Sequence, residues 1–229
     1  MKKMVLSGCV ALIALLCFAM GGHATTLGFD AITNNSAQSV AIGQAQLSVS
    51  VNSYNANQVL FTFFNVGTAA CSITDIYFDN GSPAKTLLSM AGLIDKDNGT
   101  GGDAGVDFSP LASPSNLPGG NSISPAFVTS TGFSADSDSP VSKNGVNPGE
   151  RLGVIMNLLS GKTFNSVLAA LGNGDLRIGI HVQAFSNGKS ESFINQRAGG
   201  SMVVPEPTTI GLLAAGLISL TAAKRRRTA

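Results

Sequence analysis

The feature that most constrains the fold is a strict alternation of apolar and polar residues in the second half of the chain. From position 176 to position 184, Leu, Ile, Ile, Val and Ala alternate with Arg, Gly, His and Gln. A period of two places one face of an extended segment in a core and the other in water, so it predicts a half-buried β-strand. The same alternation runs from Leu47 to Asn52, before a turn-rich segment and a second apolar run at 59–64. These two runs predict a β-hairpin.

Further apolar runs predict strands at residues 72–79, 123–129 and 152–158. Thr163 is typical of a helix N-cap and Gly172 of a helix end, so we expect one short helix between them. Short strands separated by Gly, Ser, Asn and Pro favour a mostly β fold, an antiparallel β-sandwich of jelly-roll-like type. Residues 95–150 are rich in Gly and Pro and lack periodicity. They predict an elaborated loop region, the first place to seek function.

The N-terminus has the layout of a secretory signal peptide. Lys2 and Lys3 precede an uncharged apolar run from Met4 to Met20, and small residues follow at Gly22 and Ala24. This pattern predicts a signal peptide over residues 1–24 that signal peptidase cleaves after Ala24. The alternative is an uncleaved anchor helix, which is disfavoured because the run is short for a membrane span. The exported body is then residues 25–202.

The C-terminal segment, residues 203–229, has three parts. The triplet Pro205, Glu206, Pro207 is followed by sixteen uncharged residues, Thr208 to Ala223. As a helix they would cover about 24 Å, which reaches a hydrocarbon core of about 30 Å once residues 203–207 are included. The run has no polar face, so it predicts a transmembrane helix instead of an amphipathic helix of the body. A cytoplasmic C-terminus is predicted by the basic cluster that closes the chain, Lys224, Arg225, Arg226 and Arg227.

These three parts, in this order, resemble the PEP-CTERM sorting domain of bacteria that export surface polysaccharide. The resemblance implies that exosortase, a membrane-embedded enzyme, recognises the tail, removes the helix and passes the body to the cell envelope or extracellular matrix. Within the body, residues 72–79, 145–150 and 176–182 are similar to segments of other PEP-CTERM proteins. The bodies of those proteins have no assigned activity, so this second resemblance implies no site.

The two ends of the chain are basic, whereas the body between them is acidic. Fourteen Lys and Arg against thirteen Asp and Glu give the chain a formal charge of +1, which excludes a polybasic nucleic-acid binder. The body alone has eight cations and twelve anions, so its charge is about −4. Cys71 is its only cysteine, so no disulfide can form within the body. A small buried side chain is favoured for Cys71 over a reactive thiol.

Four aspartates in the Gly-rich stretch offer hard oxygen ligands of the kind that calcium prefers. The spacing of the first two resembles the start of an EF-hand loop, but its sixth position is Thr100 and its twelfth is Val106, where Gly and Glu are needed. The alternative is that Asp and Gly are there because turns prefer them. Calcium is therefore the one candidate cofactor, with Asp95, Asp97, Asp103 and Asp107 as its candidate ligands.

No pattern in the body indicates a catalytic centre. His181 is the body's only histidine, and its place in the strand pattern predicts a surface or hydrogen-bonded residue. A zinc site would need several His or Cys. A Gly-x-Ser-x-Gly elbow, a phosphate loop and a dinucleotide fingerprint are all missing from the sequence. The sequence therefore predicts a non-enzymatic exported protein of the cell surface or matrix, associated with exopolysaccharide.

The alternative is a secreted glycan-binding module or glycan-active enzyme. Aromatic residues that could stack on sugars are scarce: Trp is absent, and Tyr54 is expected to be exposed in the hairpin turn. A concave face that gathers Tyr54, aspartates and Arg177 would favour this alternative.

Overall fold

The computed structural model describes residues 25–80, 86–95 and 105–197, and this part of the chain is mostly β. The predicted signal peptide with its cleavage at Ala24, the sorting triplet, the transmembrane helix and the basic cluster lie outside these residues. No helix among the described residues is long and apolar enough to cross a membrane. The strands are β1 Thr25–Leu27, β2 Phe29–Ala31, β3 Leu47–Asn55, β4 Gln58–Asn65, β5 Ser72–Asp79, β6 Leu88–Ile94, β7 Phe108–Pro110, β8 Ser134–Ser137, β9 Arg151–Leu158, β10 Arg177–Gln183 and β11 Glu191–Asn195.

The strands form two antiparallel sheets. The five-stranded sheet has the order β1-β3-β4-β9-β6, and the six-stranded sheet has the order β2-β11-β10-β5-β8-β7. The two sheets meet through aromatic side chains: the rings of Phe61 and Phe63 on β4 lie edge-on to Phe78 on β5, with centroids 5.2 and 6.2 Å apart. The main hydrophobic core is built from buried residues of both sheets. The jelly-roll-like type stays a prediction.

The predicted hairpin is confirmed as β3 and β4. The alternation acts as expected, since Val49 and Val51 are buried while Ser48 and Ser50 between them are only partly buried. Asn55 pairs with Gln58, so two residues form the turn. The predicted strands at 72–79, 152–158 and 176–184 correspond to β5, β9 and β10.

The strand predicted at residues 123–129 is wrong. A turn of 3-10 helix ends at Ser122, and no strand lies between Ile123 and Thr129. The backbone carbonyls of Pro125 and Ala126 accept hydrogen bonds from the Arg177 side chain instead of from a neighbouring strand. Apolar composition alone does not make a strand when side chains satisfy the backbone.

The prediction of one short helix is also incomplete. The helices are α1 Ala37–Gln46, α2 Val141–Asn144 and α3 Phe164–Asn173. The predicted helix is α3, which Thr163 caps through the backbone N–H of Ser166, and it ends at Gly174 in the left-handed conformation, two residues after the expected Gly172. The unpredicted α1 buries Ser39, Gly43 and Gln46, so it has no apolar stripe for a sequence pattern to reveal.

Residues 111–130, here called the covering loop, lie over the outer face of the six-stranded sheet. Ala112, Leu117 and Phe127 of this loop form a second, smaller hydrophobic cluster with Tyr77 of β5. Gly179 on β10 permits this contact, because a Cβ there would lie 2.7 Å from Leu117 Cδ2. Part of the Gly- and Pro-rich region that was predicted to carry function therefore packs on the outer face of a sheet.

Candidate functional site

A row of polar side chains crosses the six-stranded sheet beneath the covering loop. In the strand register Asp75 on β5 lies opposite Asp136 on β8 and opposite His181 on β10, and His181 lies opposite Ser192 on β11. Directly opposed residues of antiparallel strands project from the same face of the sheet. The four side chains therefore lie side by side in the order Asp136, Asp75, His181, Ser192. Sequence reasoning had considered His181 among them, as a surface or hydrogen-bonded strand residue.

Asp75 is the centre of this row. Its Oδ2 lies 3.1 Å from His181 Nδ1 and accepts a hydrogen bond of 2.8 Å from the Thr74 hydroxyl. The Tyr77 hydroxyl lies 3.3 Å from Asp75 Oδ1 and 3.0 Å from the carbonyl oxygen of Pro114 in the covering loop. The Asp75 side chain is only 4% exposed, and a buried carboxyl group requires hydrogen-bond partners such as these. The expectation of a hydrogen-bonded strand histidine fits this position of His181.

The two carboxyl groups of the row interact directly. Burial raises the pKa of Asp136, and the negative charge of Asp75 and a hydrogen bond to its carboxyl group raise it further. The backbone N–H of Ser113, which donates to Asp136 Oδ2 at 3.2 Å, opposes the rise. Burial and the Asp75 charge also raise the pKa of the Tyr77 hydroxyl. The raised pKa of Asp136 therefore favours the neutral form of its carboxyl group beside Asp75.

A second set of contacts ties the other end of the covering loop to the sheet. The Arg177 guanidinium bonds the carboxylate of Asp79 and the carbonyl oxygen of Ala126, and its Nη1 donates to the carbonyl oxygen of Pro125 at 2.8 Å. The same group lies over the Phe127 ring, 5.3 Å from its centroid, in a cation–π arrangement. The loop is thus held at both ends by charged side chains that project from the sheet.

The chemistry of the row is limited by access. Asp75 holds the His181 ring as the acid of a hydrolytic triad would, and Ser192 is next in register. Ser192, however, is 1% exposed, and its Oγ has no hydrogen-bond partner, so His181 does not activate it. Asp75, which lies opposite Asp136 in the register, is 4% exposed, so a substrate has little access to its carboxyl group. We therefore read the row as a structural tie between three strands and the covering loop.

The calcium prediction falls partly outside the described residues, because Asp97 and Asp103 are not among them. Asp95 is buried at the end of β6, and its Oδ2 accepts a hydrogen bond of 3.3 Å from the backbone N–H of Phe108. The backbone of Asp107 bonds Asn144 and Asp138. Within the described part of the chain, no group of three or more His, Cys, Asp or Glu side chains is arranged to hold a metal ion. Calcium binding stays a prediction.

Cys71 is buried, as the sequence favours. It is 2% exposed, and its sulfur accepts hydrogen bonds from the side-chain amides of Gln46 at 3.0 Å and Asn65 at 3.6 Å. Burial raises the pKa of the thiol more than these two bonds lower it. The thiol therefore stays protonated and enclosed, which is the opposite of the environment of a reactive cysteine.

The three body segments that resemble other PEP-CTERM proteins meet in space. The first is β5, the third overlaps its sheet neighbour β10, and the second reaches β5 through paired backbone hydrogen bonds between Ile73 and Val146. They form the strand contacts around Asp75 at the centre of the six-stranded sheet, and their likeness to other proteins stays a prediction.

Comparison with known proteins identifies the C-terminal segment of the chain. A family model described as the PEP-CTERM protein-sorting motif matches residues 203–227, which contain the triplet, the apolar run and the basic cluster. No curated protein and no solved structure matches the chain. The chain is therefore a PEP-CTERM-containing protein, and its motif supports export, a transient membrane anchor and processing by exosortase.

Proposed function

We propose that this protein is a non-enzymatic component of the cell surface or extracellular matrix, associated with exopolysaccharide. In this proposal signal peptidase removes residues 1–24, and residues 203–229 anchor the chain in the inner membrane until exosortase releases the β-sandwich body. The sorting motif at residues 203–227 is the observation that carries the proposal.

The body supports a binding or structural role over catalysis. Its one histidine is engaged by Asp75, the serine beside that histidine is buried, and Asp75 itself is buried. A catalytic group must reach a substrate atom within hydrogen-bond distance. These side chains serve the packing of the loop on the sheet instead.

The alternative of a glycan site built from Tyr54 and Arg177 receives less support. Tyr54 is half exposed, as expected, but it lies on β3 of the five-stranded sheet. Arg177 lies on β10 of the six-stranded sheet, where it bonds the covering loop. A glycan-active enzyme at that combination of residues is therefore disfavoured.

The proposal is tested by removing the sorting segment. Cells would express the full chain, a chain that ends at Met202, and a matched variant in which only the four basic residues 224–227 are changed to Gln. Fractionation and mass spectrometry of both termini would follow. We expect the full chain to yield a mature body that begins at Thr25, has lost its C-terminal helix and resides in the envelope or matrix.

The two variants should fail at different stages. The truncated chain should enter the periplasm without being retained or processed, and the Gln variant should accumulate with its C-terminal helix intact. The sorting proposal is wrong if all three chains reach the same compartment in the same form.

A further inference from the structure

The two sheets differ in how their outer faces are closed. The covering loop lies over the six-stranded sheet, whereas the outward side chains of β3 and β4 in the five-stranded sheet are only partly buried. A groove of about 320 Å³ crosses this second face from β3 to β6. It is lined by Ser50, Asn52, Leu60, Thr62, Phe64, Ile94, Arg151 and Gly153. We infer that this groove binds a segment of an uncharged polysaccharide.

Gly153 on β9 allows the apolar side chains of the two neighbouring strands to approach each other across the groove. A Cβ at this position would lie 3.0 Å from Ile94 Cβ and 3.2 Å from Leu60 Cδ1. A larger residue would therefore displace two of the side chains that line the groove. A volume of about 320 Å³ lies at the lower end of the range typical of ligand sites, about 300–1,000 Å³.

The side chains that line the groove suit a sugar chain. Ser50, Asn52 and Thr62 offer hydroxyl and amide groups that can both donate and accept hydrogen bonds. Asn52 Nδ2 already donates to Ser50 Oγ at 3.1 Å, which fixes the two side chains together. Leu60, Phe64 and Ile94 supply apolar surface beside them. A polyhydroxylated ring with apolar C–H faces can use both kinds of surface, since its hydroxyls bond the first set and its faces pack on the second.

Charge and composition argue against other occupants. Arg151 is the one charged residue in the lining, and the body as a whole carries about −4, so a strongly anionic chain would find a single cation there and not the cluster of cations that it needs. Protein interfaces are depleted of Ser and enriched in aromatic residues and Met. The lining has one aromatic residue, Phe64, and three small polar ones. A second copy of the chain or another protein is therefore the poorer fit.

This inference deepens the proposed function and rests on it, because an exported body is one that meets extracellular glycan. Binding by the purified full-length protein in detergent does not depend on sorting, so each idea can fail separately. The probes are the uncharged polymers xylan, dextran and mixed-linkage glucan in affinity gels, with alginate as the acidic comparison.

The test pair is Ser50→Ala/Asn52→Ala in the groove against Ser115→Ala/Asn116→Ala in the covering loop. The second pair removes the same chemical groups from exposed positions on the opposite face of the body. We expect the groove pair to weaken retardation by an uncharged polymer at least about tenfold, with the control pair unchanged. A third variant, Thr62→Phe, should also abolish binding, because it fills the groove while keeping a residue favoured in strands.

Circular dichroism and melting temperature would establish that every variant is folded. The inference is overturned if no uncharged polymer retards the protein, if alginate alone does, or if both pairs bind like the wild type. It is also overturned if the groove pair changes the oligomeric state measured by light scattering, since the face would then join copies of the chain.

Discussion

Replacing Arg177 with Met should release the covering loop and lower the stability of the body. Met keeps much of the apolar stem over the Phe127 ring but removes the charge and every hydrogen bond from the guanidinium. Arg177 and Asp79 are 15% and 11% exposed in their side chains, so the pair is largely withdrawn from water. Breaking such a pair leaves a charge without its partner, which costs about 3–5 kcal/mol.

The lower end of that range applies here, because Asp79 Oδ2 still accepts a hydrogen bond of 3.2 Å from the backbone N–H of Val128. We therefore expect a loss of about 3 kcal/mol in the free energy of unfolding. For a body of this size that corresponds to a melting temperature lower by about 6–12 °C. The measurement is thermal unfolding followed by circular dichroism.

A second readout localises the effect to the loop. Chymotrypsin cleaves after large apolar residues such as Leu111 and Phe127, so cleavage within 111–130 should become faster in the variant. Lys189→Met is the matched control, because Lys189 is exposed and loses its charge in the same way. The reasoning is refuted if Arg177→Met lowers the melting temperature no more than Lys189→Met and leaves the loop equally resistant to cleavage.

Three further changes probe other contacts. The raised pKa of Asp136 means that its contribution to stability is present at low pH and is lost as pH rises through that pKa. Asp136→Asn, which mimics the protonated group beside Asp75, should therefore gain in urea stability over the wild type as pH rises; a constant difference at every pH would contradict the raised pKa of Asp136. Gly179→Ala should lower the melting temperature, because the new Cβ would collide with Leu117, and an unchanged value would show that the loop shifts freely. Thr163→Ala should cost about 1 kcal/mol in chemical unfolding through the lost N-cap, and an equal loss for Thr163→Ser would argue against capping.

The sequence predicted the long strands because their own residues carry the signal. In β3 the first six positions alternate between buried and partly buried, and β5 has four apolar residues among eight buried positions because both of its faces are covered. Either pattern follows from how a pleated strand divides its side chains between two faces. Thr163 likewise predicted the start of α3, because an N-cap is a local interaction between residues three positions apart.

The elements that were missed depend on distant partners. β8 is four residues long and reads Ser-Ala-Asp-Ser, so nothing in it marks a strand until β5 and β7 pair with its two sides. In α1, Gly43 is buried because the Phe193 ring packs closely on it: a Cβ there would lie 2.2 Å from Phe193 Cζ. Contacts across 150 positions of chain leave no mark in a short sequence window.

The same reasoning explains what could be predicted of the sites. The sorting segment is a linear signal, and its triplet, apolar run and basic cluster could be recognised without a fold. The row of Asp136, Asp75 and His181 exists only because three strands are in register. A carboxylate such as Asp75 inside an apolar strand was the one available hint, because a buried charge requires partners.

The enclosed thiol of Cys71 has a consequence for how exported copies of this body can join. A mixed disulfide requires an accessible thiolate, and here the sulfur is 2% exposed, amide-bonded and held protonated. Oxidants outside the cell therefore cannot form a disulfide between two folded bodies through this residue. Any assembly built from folded bodies therefore holds together without disulfides between them, and its formation does not depend on redox conditions.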